Sequence, residues 1–495
     1  MTENQYNELK NKFEELLSLK NSSLEENTQI LEAYTNALKG DLQAFITAFE
    51  KSHHPKSIRL LKNVNAYRSI FYQEVYRGID GAIQTYGDIF ISGGDLNRSG
   101  SGRGVITSGF SRLPIPLGVE IEDVIGGHAN FYAQVKDSAS MYVWGNNSQG
   151  CLGLGHNLVV PIPKEVKFRA KIKKIASKSY ASSYQFALVL LEDGSVWGAG
   201  RNSEGELGIG NTIDSNRFVQ ISTISDIVDI WVGSDYVSGA FALDRTGKLY
   251  AWGWNGNGCL GLGHSDSVLK PTLVSGLEGV SGVYHYTKND SGWRGNTFVQ
   301  KGKREIWGCG YNGQRQLNQS DLNDRNAFIK VISISGSSDG ADIVQFIGGT
   351  CYNTCFLIDK AGDTWSWGWG GYGFGDNRSG NNLNDGNNKS SIKFAYIQTQ
   401  PYNYQAFYGK DIEGNLWSFG YNNNSLGTGH NDNIRTFEKI QIPQNIEDFM
   451  LASVYEAERA FVATDGKRLY ACGSAYDGNI DYTTNVPQPQ KITQL

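Results

Sequence analysis

Between residues 84 and 495, apolar and polar positions alternate in short runs with the two-residue period of a strand, and almost nowhere with the 3.6-residue period of a helix. AFALDRTGKLYAWG (240–253) shows the form: two alternating halves divided by a turn, which predicts a strand pair. The second half ends on two or three aromatic or aliphatic residues followed by a glycine. That phrase closes at Gly93, Gly145, Gly200, Gly253, Gly310, Gly368, Gly420 and Gly473, at intervals of 52 to 58 residues. A Gly/Asn-rich bend follows, as in NNSQGCLGLGH (146–156), RNSEGELGIGN (201–211), WNGNGCLGLGH (254–264) and YNNNSLGTGH (421–430). Glycine and asparagine tolerate positive φ, so this stretch turns back compactly. A third strand comes next, often introduced by proline. A short apolar run such as IVDIWVG (227–233) or IEDFMLA (446–452) then leads into the next pair. So long and regular a period describes one supersecondary unit copied along the chain.

A lone four-stranded sheet exposes two faces and two edges, whereas radial packing buries the faces and leaves only short edges. The expected fold is therefore an all-β β-propeller of seven or eight four-stranded blades, the repeat count favouring eight, with a small α-helical N-terminal module. The aromatic residues of the recurring phrase are expected between blades. The C-terminal strand PQPQKI and the N-terminal pair GAIQTYGDIFISGG each lack a complement, and together they are expected to complete one blade.

Three stretches carry a more specific likeness: GGHANFYAQ (126–134), DGSVWGAGRNSEGELGIG (193–210) and GKLYAWGWNGNGCLGLGH (247–264). They resemble the regulator-of-chromosome-condensation repeat family, over about residues 84–495. YNGQRQLNQSD (311–321) and GWGGYGFGDNRSG (368–380) depart from the pattern by losing the regular LGxG bend. The resemblance implies a propeller, and for some members guanine-nucleotide exchange on a small GTPase, an activity that depends on a wedge-like insertion with no evident counterpart here.

Residues 1–50 break the repeat and read as two helices. Tyr6, Leu9, Phe13 and Leu16 follow helical spacing; Ser23–Glu26 forms a capping box that opens a second helix. The second helix carries Leu31, Tyr34, Leu38, Leu42, Phe45 and Phe49 on one stripe. That stripe needs a partner: the other helix, the propeller, copies of itself or another protein. Residues 51–83 are read as a bridge into the first blade.

The 60 glycines are accounted for by the bends, and a net charge of −5 with no long basic run argues against nucleic acid as a partner. The one basic cluster, KEVKFRAKIKK (164–174), reads as a solvated edge. MTENQYNELK is not followed by an apolar core segment, and no run of 18 apolar residues occurs, so neither a signal peptide nor a membrane span is expected. The six cysteines do not form a disulfide framework: Cys151 and Cys259 share one repeat position and Cys309 and Cys472 another, which a ring holds apart. Cys351 and Cys355 lack the further ligands of a zinc site.

No catalytic constellation is present, and neither enzyme activity nor a cofactor or metal is expected. His156, His264 and His430 recur at the end of the bend and read as turn residues; His128 falls at the GGxH position of the resembled family and likewise reads as structural. Asp95–Gly100 mimics the start of a calcium loop but has Ile106 where a bidentate glutamate is needed, so it reads as the first bend. Two stretches break the repeat in a way that suits binding. VYHYTKNDSGWRGNTF (283–298) supplies Trp293 and Arg294; the loop 368–391 supplies Tyr372, Phe374, Asp376, Asn382 and Asp385. Aromatic faces with short polar neighbours suit a saccharide or a protein surface. A helical stem before a β head, an Asn/Gly-rich acidic composition and the missing signal peptide suggest a virion component, a phage tail or baseplate fibre. Its helices would dock or oligomerise, and its propeller would meet a host protein or glycan. The alternative is a cytosolic exchange factor or other protein-interaction propeller.

Overall fold

The computed structural model describes the strand segments 58–60, 70–79, 82–92 and 110–112, then, with short gaps, residues 115–369, 381–382, 389–473 and 486–491. The described chain is built of eight four-stranded antiparallel sheets. The first holds β1 (Ile58–Leu60), β2 (Ile70–Ile79), β3 (Ala82–Ser92) and β4 (Phe110–Arg112); the second β5 (Ile121–Gly126), β6 (Asn130–Val135), β7 (Ser140–Gly145) and β8 (Val160–Lys167). The third holds β9 (Ile172–Tyr180), β10 (Tyr184–Leu191), β11 (Val196–Gly200) and β12 (Ser215–Gln220); the fourth β13 (Ile227–Val232), β14 (Gly239–Asp244), β15 (Leu249–Gly253) and β16 (Val268–Leu273). The fifth holds β17 (Val280–Asn289), β18 (Trp293–Lys301), β19 (Glu305–Gly310) and β20 (Arg325–Ser333); the sixth β21 (Ile343–Gly349), β22 (Thr354–Asp359), β23 (Thr364–Trp369) and β24 (Asn381–Asn382). The seventh holds β25 (Phe394–Thr399), β26 (Ala406–Asp411), β27 (Leu416–Gly420) and β28 (Ile434–Lys439); the eighth β29 (Asp448–Val454), β30 (Glu458–Thr464), β31 (Leu469–Gly473) and β32 (Val486–Lys491).

The leading strands of successive sheets touch one another, as β5 with β9, β9 with β13, β13 with β17 and β17 with β21. They therefore line the axis, and the architecture is an all-β propeller of four-stranded blades. In the second to seventh sheets the middle strands are buried on both faces, because a neighbouring sheet covers each. Trp144, Trp252 and Trp367, all immediately before a recurring glycine, are fully buried. Burial of one such ring contributes roughly 2–3 kcal/mol.

Closure differs from the sequence expectation. β32 pairs with β31 of its own sheet, and β3 has its own partners in β2 and β4, so the two chain ends do not share a blade. Residues 51–83 already contain β1 and β2, which supply the strands thought missing. The first and eighth sheets meet instead face to face, β1 lying against β29 and β30. The helices read over residues 1–50, with Tyr6, Leu9, Phe13, Leu16, Leu31, Leu38, Leu42 and Phe45, lie outside the described residues.

The bend has a single organising residue. The side-chain oxygen of a buried asparagine accepts the N–H of the leucine four or five residues on, while its amide donates to a carbonyl near the bend's end. Asn147 accepts from Leu152 at 2.9 Å and donates to the His156 carbonyl at 2.7 Å. Asn202, Asn255, Asn312 and Asn422 repeat this with Leu207, Leu260, Leu317 and Leu426. The histidines act as turn residues: Nδ1 of His156, His264 and His430 accepts the N–H two residues ahead, each at 3.2 Å. Asn211 and Asp321 do the same with a side-chain oxygen.

Three of the bends also seal the seam to the next sheet. Gly155, Gly210 and Gly263 donate their N–H to the carbonyls of Asn216, Leu269 and Asn326 on the following outer strand, at 2.7–2.9 Å. From the following sheet, Trp252 and Trp367 indoles donate back to the Glu206 and Gln316 carbonyls at 2.9 and 3.0 Å. The fifth bend, which the sequence marks as degenerate, keeps this geometry. Arg315 (φ 62°) and Asn318 (φ 55°) adopt the left-handed conformation held elsewhere by Gly258 (φ 72°) and Gly261 (φ 71°). A Cβ at Gly258 would stand 2.5 Å from Asn326 Cβ on the outer strand of the next sheet.

Candidate interaction surface

The bends and the tips joining each first and second strand stand at one end of the propeller; the tight turns joining second and third strands stand at the other. The stretch 283–298 is a lengthened hairpin at the first end. β17 and β18 stay in register out to Asn289 opposite Trp293. Arg294 lies with its guanidinium 4.5 Å from the centre of the Tyr311 ring, a cation–π contact. Next to it Gly295 rests on Trp254 of the fourth sheet: a Cβ there would stand 2.6 Å from the indole. Trp254, Gly295, Arg294 and Tyr311 thus form one continuous surface across the seam of the fourth and fifth sheets.

Two of these residues escaped the sequence reading. Trp254 and Tyr311 each immediately follow a recurring glycine, at a position held by Trp369 and Tyr421 on the sixth and seventh sheets and by Asn146 and Arg201 on the second and third. All four aromatics are half-buried. Aligning the copies on their glycines would have found this arc. The ring of Trp254 packs over Gly256 and that of Tyr311 over Gly313, so each lies flat on the bend backbone.

Of the other predicted residues, Asn382 lies in β24, its backbone paired with Gly368. The loop carrying it starts from Trp369, at the same end of the sheet next to the hairpin. Tyr372, Phe374, Asp376 and Asp385 lie outside the described residues, as do His128 and Cys351. Cys151, Cys259, Cys309, Cys355 and Cys472 are buried free thiols. Burial pushes the Cys151 thiol up to about 11, which leaves it a poor nucleophile.

His285 ties the hairpin base to the fourth sheet. Its Nε2 accepts the Gly239 N–H at 3.2 Å, so the neutral ring carries its proton on Nδ1 and donates to Thr297 Oγ1 at 2.6 Å. Among the described residues no group of three or more His, Cys, Asp or Glu side chains could hold a metal ion, and no helix is long and apolar enough to cross a membrane.

At the opposite end one aspartate recurs. Burial raises the Asp411 carboxyl, but bonds from the Trp417 indole (2.8 Å), the Asn415 amide (2.9 Å) and the Glu413 and Asn415 N–H groups outweigh it and hold it below the usual carboxylate range. Asp244 is lowered the same way, the bonds from Lys248, Thr246 and Tyr250 outweighing burial. Asp359, in the same turn, is raised instead, chiefly by burial. The signs predict opposite behaviour. A carboxyl lowered on folding adds stability in full above its unfolded pKa, about 3.9, and loses it as pH falls through the folded value. A raised one favours folding only at pH below its folded value. Asp411→Asn is expected to cost roughly 1.5–3 kcal/mol at pH 7 and to flatten the acid limb below about pH 4. Asp359→Asn is expected to leave neutral stability unchanged or higher. Urea midpoints from pH 7 to pH 2 check both.

The family model described as the regulator of chromosome condensation (RCC1) repeat matches residues 138–182 and 246–293, and a second model of that description matches 172–206. The human X-linked retinitis pigmentosa GTPase regulator is 34% identical over 143 residues, 29% of this chain and 14% of that protein. The ultraviolet-B receptor UVR8 of Arabidopsis thaliana is 29% identical over 236 residues, 47% of this chain and 50% of that protein. The chain thus spans half or less of the length of these curated relatives. Human WBSCR16 shares the fold with a TM-score of 0.51 at 19% identity, over 73% of this chain and 96% of that one. Residues 138–206 and 246–293, within the recurring four-stranded sheets, thus carry repeats of the regulator-of-chromosome-condensation family.

Proposed function

We propose that this protein is a protein-interaction propeller, with a role in binding rather than chemistry, and that it recognises its partner with the end that carries the bends and the β17–β18 hairpin. The observation that carries this reading is the continuous Trp254–Gly295–Arg294–Tyr311 surface, with Trp293 at the hairpin tip. Tryptophan, tyrosine and arginine are enriched among the residues that dominate interface energetics: the rings bury much area with little loss of side-chain freedom, and the guanidinium stacks and donates several hydrogen bonds at once. The matched repeats support the same reading, and the name of one relative, a GTPase regulator, makes small GTPases the first partner class to test. The contact of the eighth sheet with the first supports a ring of eight blades. The virion reading draws no support from the fold or from these relatives.

The test pairs two assays on the full chain. Nucleotide release is followed across a panel of small GTPases, and affinity capture is compared between the wild type and Arg294→Glu and Trp254→Ala. Partners bound through this end are expected to weaken about tenfold or more, with melting shifted by only a few degrees. Partners captured equally by wild type and both variants would place recognition elsewhere.

A further inference from the structure

A second site stands at the other end of the propeller, in the seam between the fifth and sixth sheets. The outer strands of the second to fifth, seventh and eighth sheets run six to nine residues; in the sixth, β24 has two, and among the described residues below it only Lys389 bridges to Trp365. A cavity of about 610 Å³ opens there, lined on one side by Val331, Ile334 and Ala341 and on the other by Asp359, Asp363, Trp365 and Lys389. Its volume lies within the range of small-ligand sites.

The cavity holds a carboxylate oxygen with no hydrogen-bond partner among the described residues. Asp359 is 5% exposed, and its Oδ1 accepts the N–H groups of Ala361 and Asp363 at 3.0 and 2.9 Å. In the same turn of the seventh sheet, Oδ2 of Asp411 takes the Trp417 indole and the Asn415 amide; in the fourth, Oδ2 of Asp244 takes the Tyr250 hydroxyl. Trp365 stands six residues after Asp359, as Trp417 does after Asp411, yet among the described residues Oδ2 of Asp359 has no partner. The nearby cations are bonded to the other carboxylate, Lys389 Nζ at 2.7 Å and Lys393 Nζ at 3.4 Å from Asp363, and Lys389 acts on Asp359 through its charge without a hydrogen bond. Lys389 also covers the Trp365 ring at 4.9 Å. The axial cavity between β5, β9 and β13, about 560 Å³, is different: its Lys174 is paired with Asp229 at 2.6 Å and its Glu122 takes the Gln134 amide at 3.3 Å.

We infer that this seam cavity binds an alkyl-ammonium or guanidinium group, with Asp359 Oδ2 as its counter-ion and Val331, Ile334 and Ala341 against its apolar stem. A buried carboxylate with one oxygen unmatched gains most from a cation that also donates hydrogen bonds. The group has two possible sources, a free small amine or a basic side chain of a partner protein, and the chemistry of the pocket is the same for both.

The experiment titrates the full-length protein with agmatine and with the peptide Ac-Gly-Arg-Gly-NH2, using the peptide with neutral citrulline in place of arginine as control, by calorimetry or ligand-observed NMR. At least one cationic probe is expected to bind saturably. Citrulline, and the Asp359→Asn variant, are each expected to weaken binding about tenfold or more. Stronger agmatine points to a free amine, stronger peptide to a protein side chain. If neither cationic probe saturates, or if Asp359→Asn or citrulline leaves affinity unchanged, the site is overturned. Should Asp359→Asn fail to fold, Ala341→Leu, which fills the cavity from the opposite wall, carries the test with the same expected loss. Arg294→Glu and Trp254→Ala lie at the far end and leave this binding intact, so the two functional readings stand or fall separately.

Discussion

Gly310→Ala is expected to lower unfolding stability by roughly 2–5 kcal/mol, while Gly247→Ala costs only about 1 kcal/mol. Both glycines are left-handed, Gly310 with φ 95° and Gly247 with φ 86°, so both variants carry the conformational cost of placing a side chain there. The difference is what surrounds them. A Cβ at Gly310 would overlap the Gly295 carbonyl and stand 2.7 Å from Asn296 Cα, both in the paired neighbouring strand β18. Backbone in a buried ladder cannot move aside without breaking its own hydrogen bonds. A Cβ at Gly247, in an open turn, meets nothing within 4 Å. Urea denaturation of the two variants side by side isolates the packing part. Equal losses would show that the recurring glycine is required only for its dihedral angles.

Asn255→Ala is expected to cost roughly 2–4 kcal/mol, and the mechanism is loss of a partner for a buried backbone group. Asn255 is fully buried; its Oδ1 accepts the N–H of Leu260 at 2.8 Å, and its amide donates to the His264 and Asp266 carbonyls at 2.9 and 3.2 Å. The two carbonyls belong to exposed residues and can turn to water, but Leu260 is fully buried and its N–H cannot. Asn255→Asp is expected to be no better, since a carboxylate accepts but does not donate and would bring a charge into a dry site. His264→Ala, by contrast, removes one exposed turn contact and is expected to cost under about 1 kcal/mol. Denaturant midpoints rank the three variants. Faster hydrogen exchange at the Leu260 amide in Asn255→Ala would locate the damage in the bend.

Those two positions also mark how far the chain can be read unaided. The period of the glycine phrase and the alternation before it are local signals, and they describe the strands correctly, because a strand's preference for one covered face is written in its own residues. The asparagine of the bend was visible as a turn former, yet its role as a staple was not, since its partners lie four to eleven positions away in a path set by the bend itself. The fifth bend looked broken because Arg315 and Asn318 replace glycines; it is intact because both adopt the left-handed conformation and Asn312 keeps its bonds to Leu317 and Asp321. β1 and β2 were passed over because they carry no glycine phrase, and the expected sharing of a blade between chain ends failed with them. Trp293 and Arg294 were singled out by their departure from the repeat, but Trp254 and Tyr311 conform to it and drew no notice.

The sequence by itself determined the repeating unit, its strand pairs and the residues placed to cover each sheet, because these depend on neighbours a few positions apart. Tertiary structure decided which polar groups are matched across a seam, that Arg294 stacks on Tyr311, and that Asp359 faces a cavity. The aspartate turn is the same in the sixth and seventh sheets; what differs is the strand standing beside it, and hydrogen bonding and desolvation are settled by whatever fills that space.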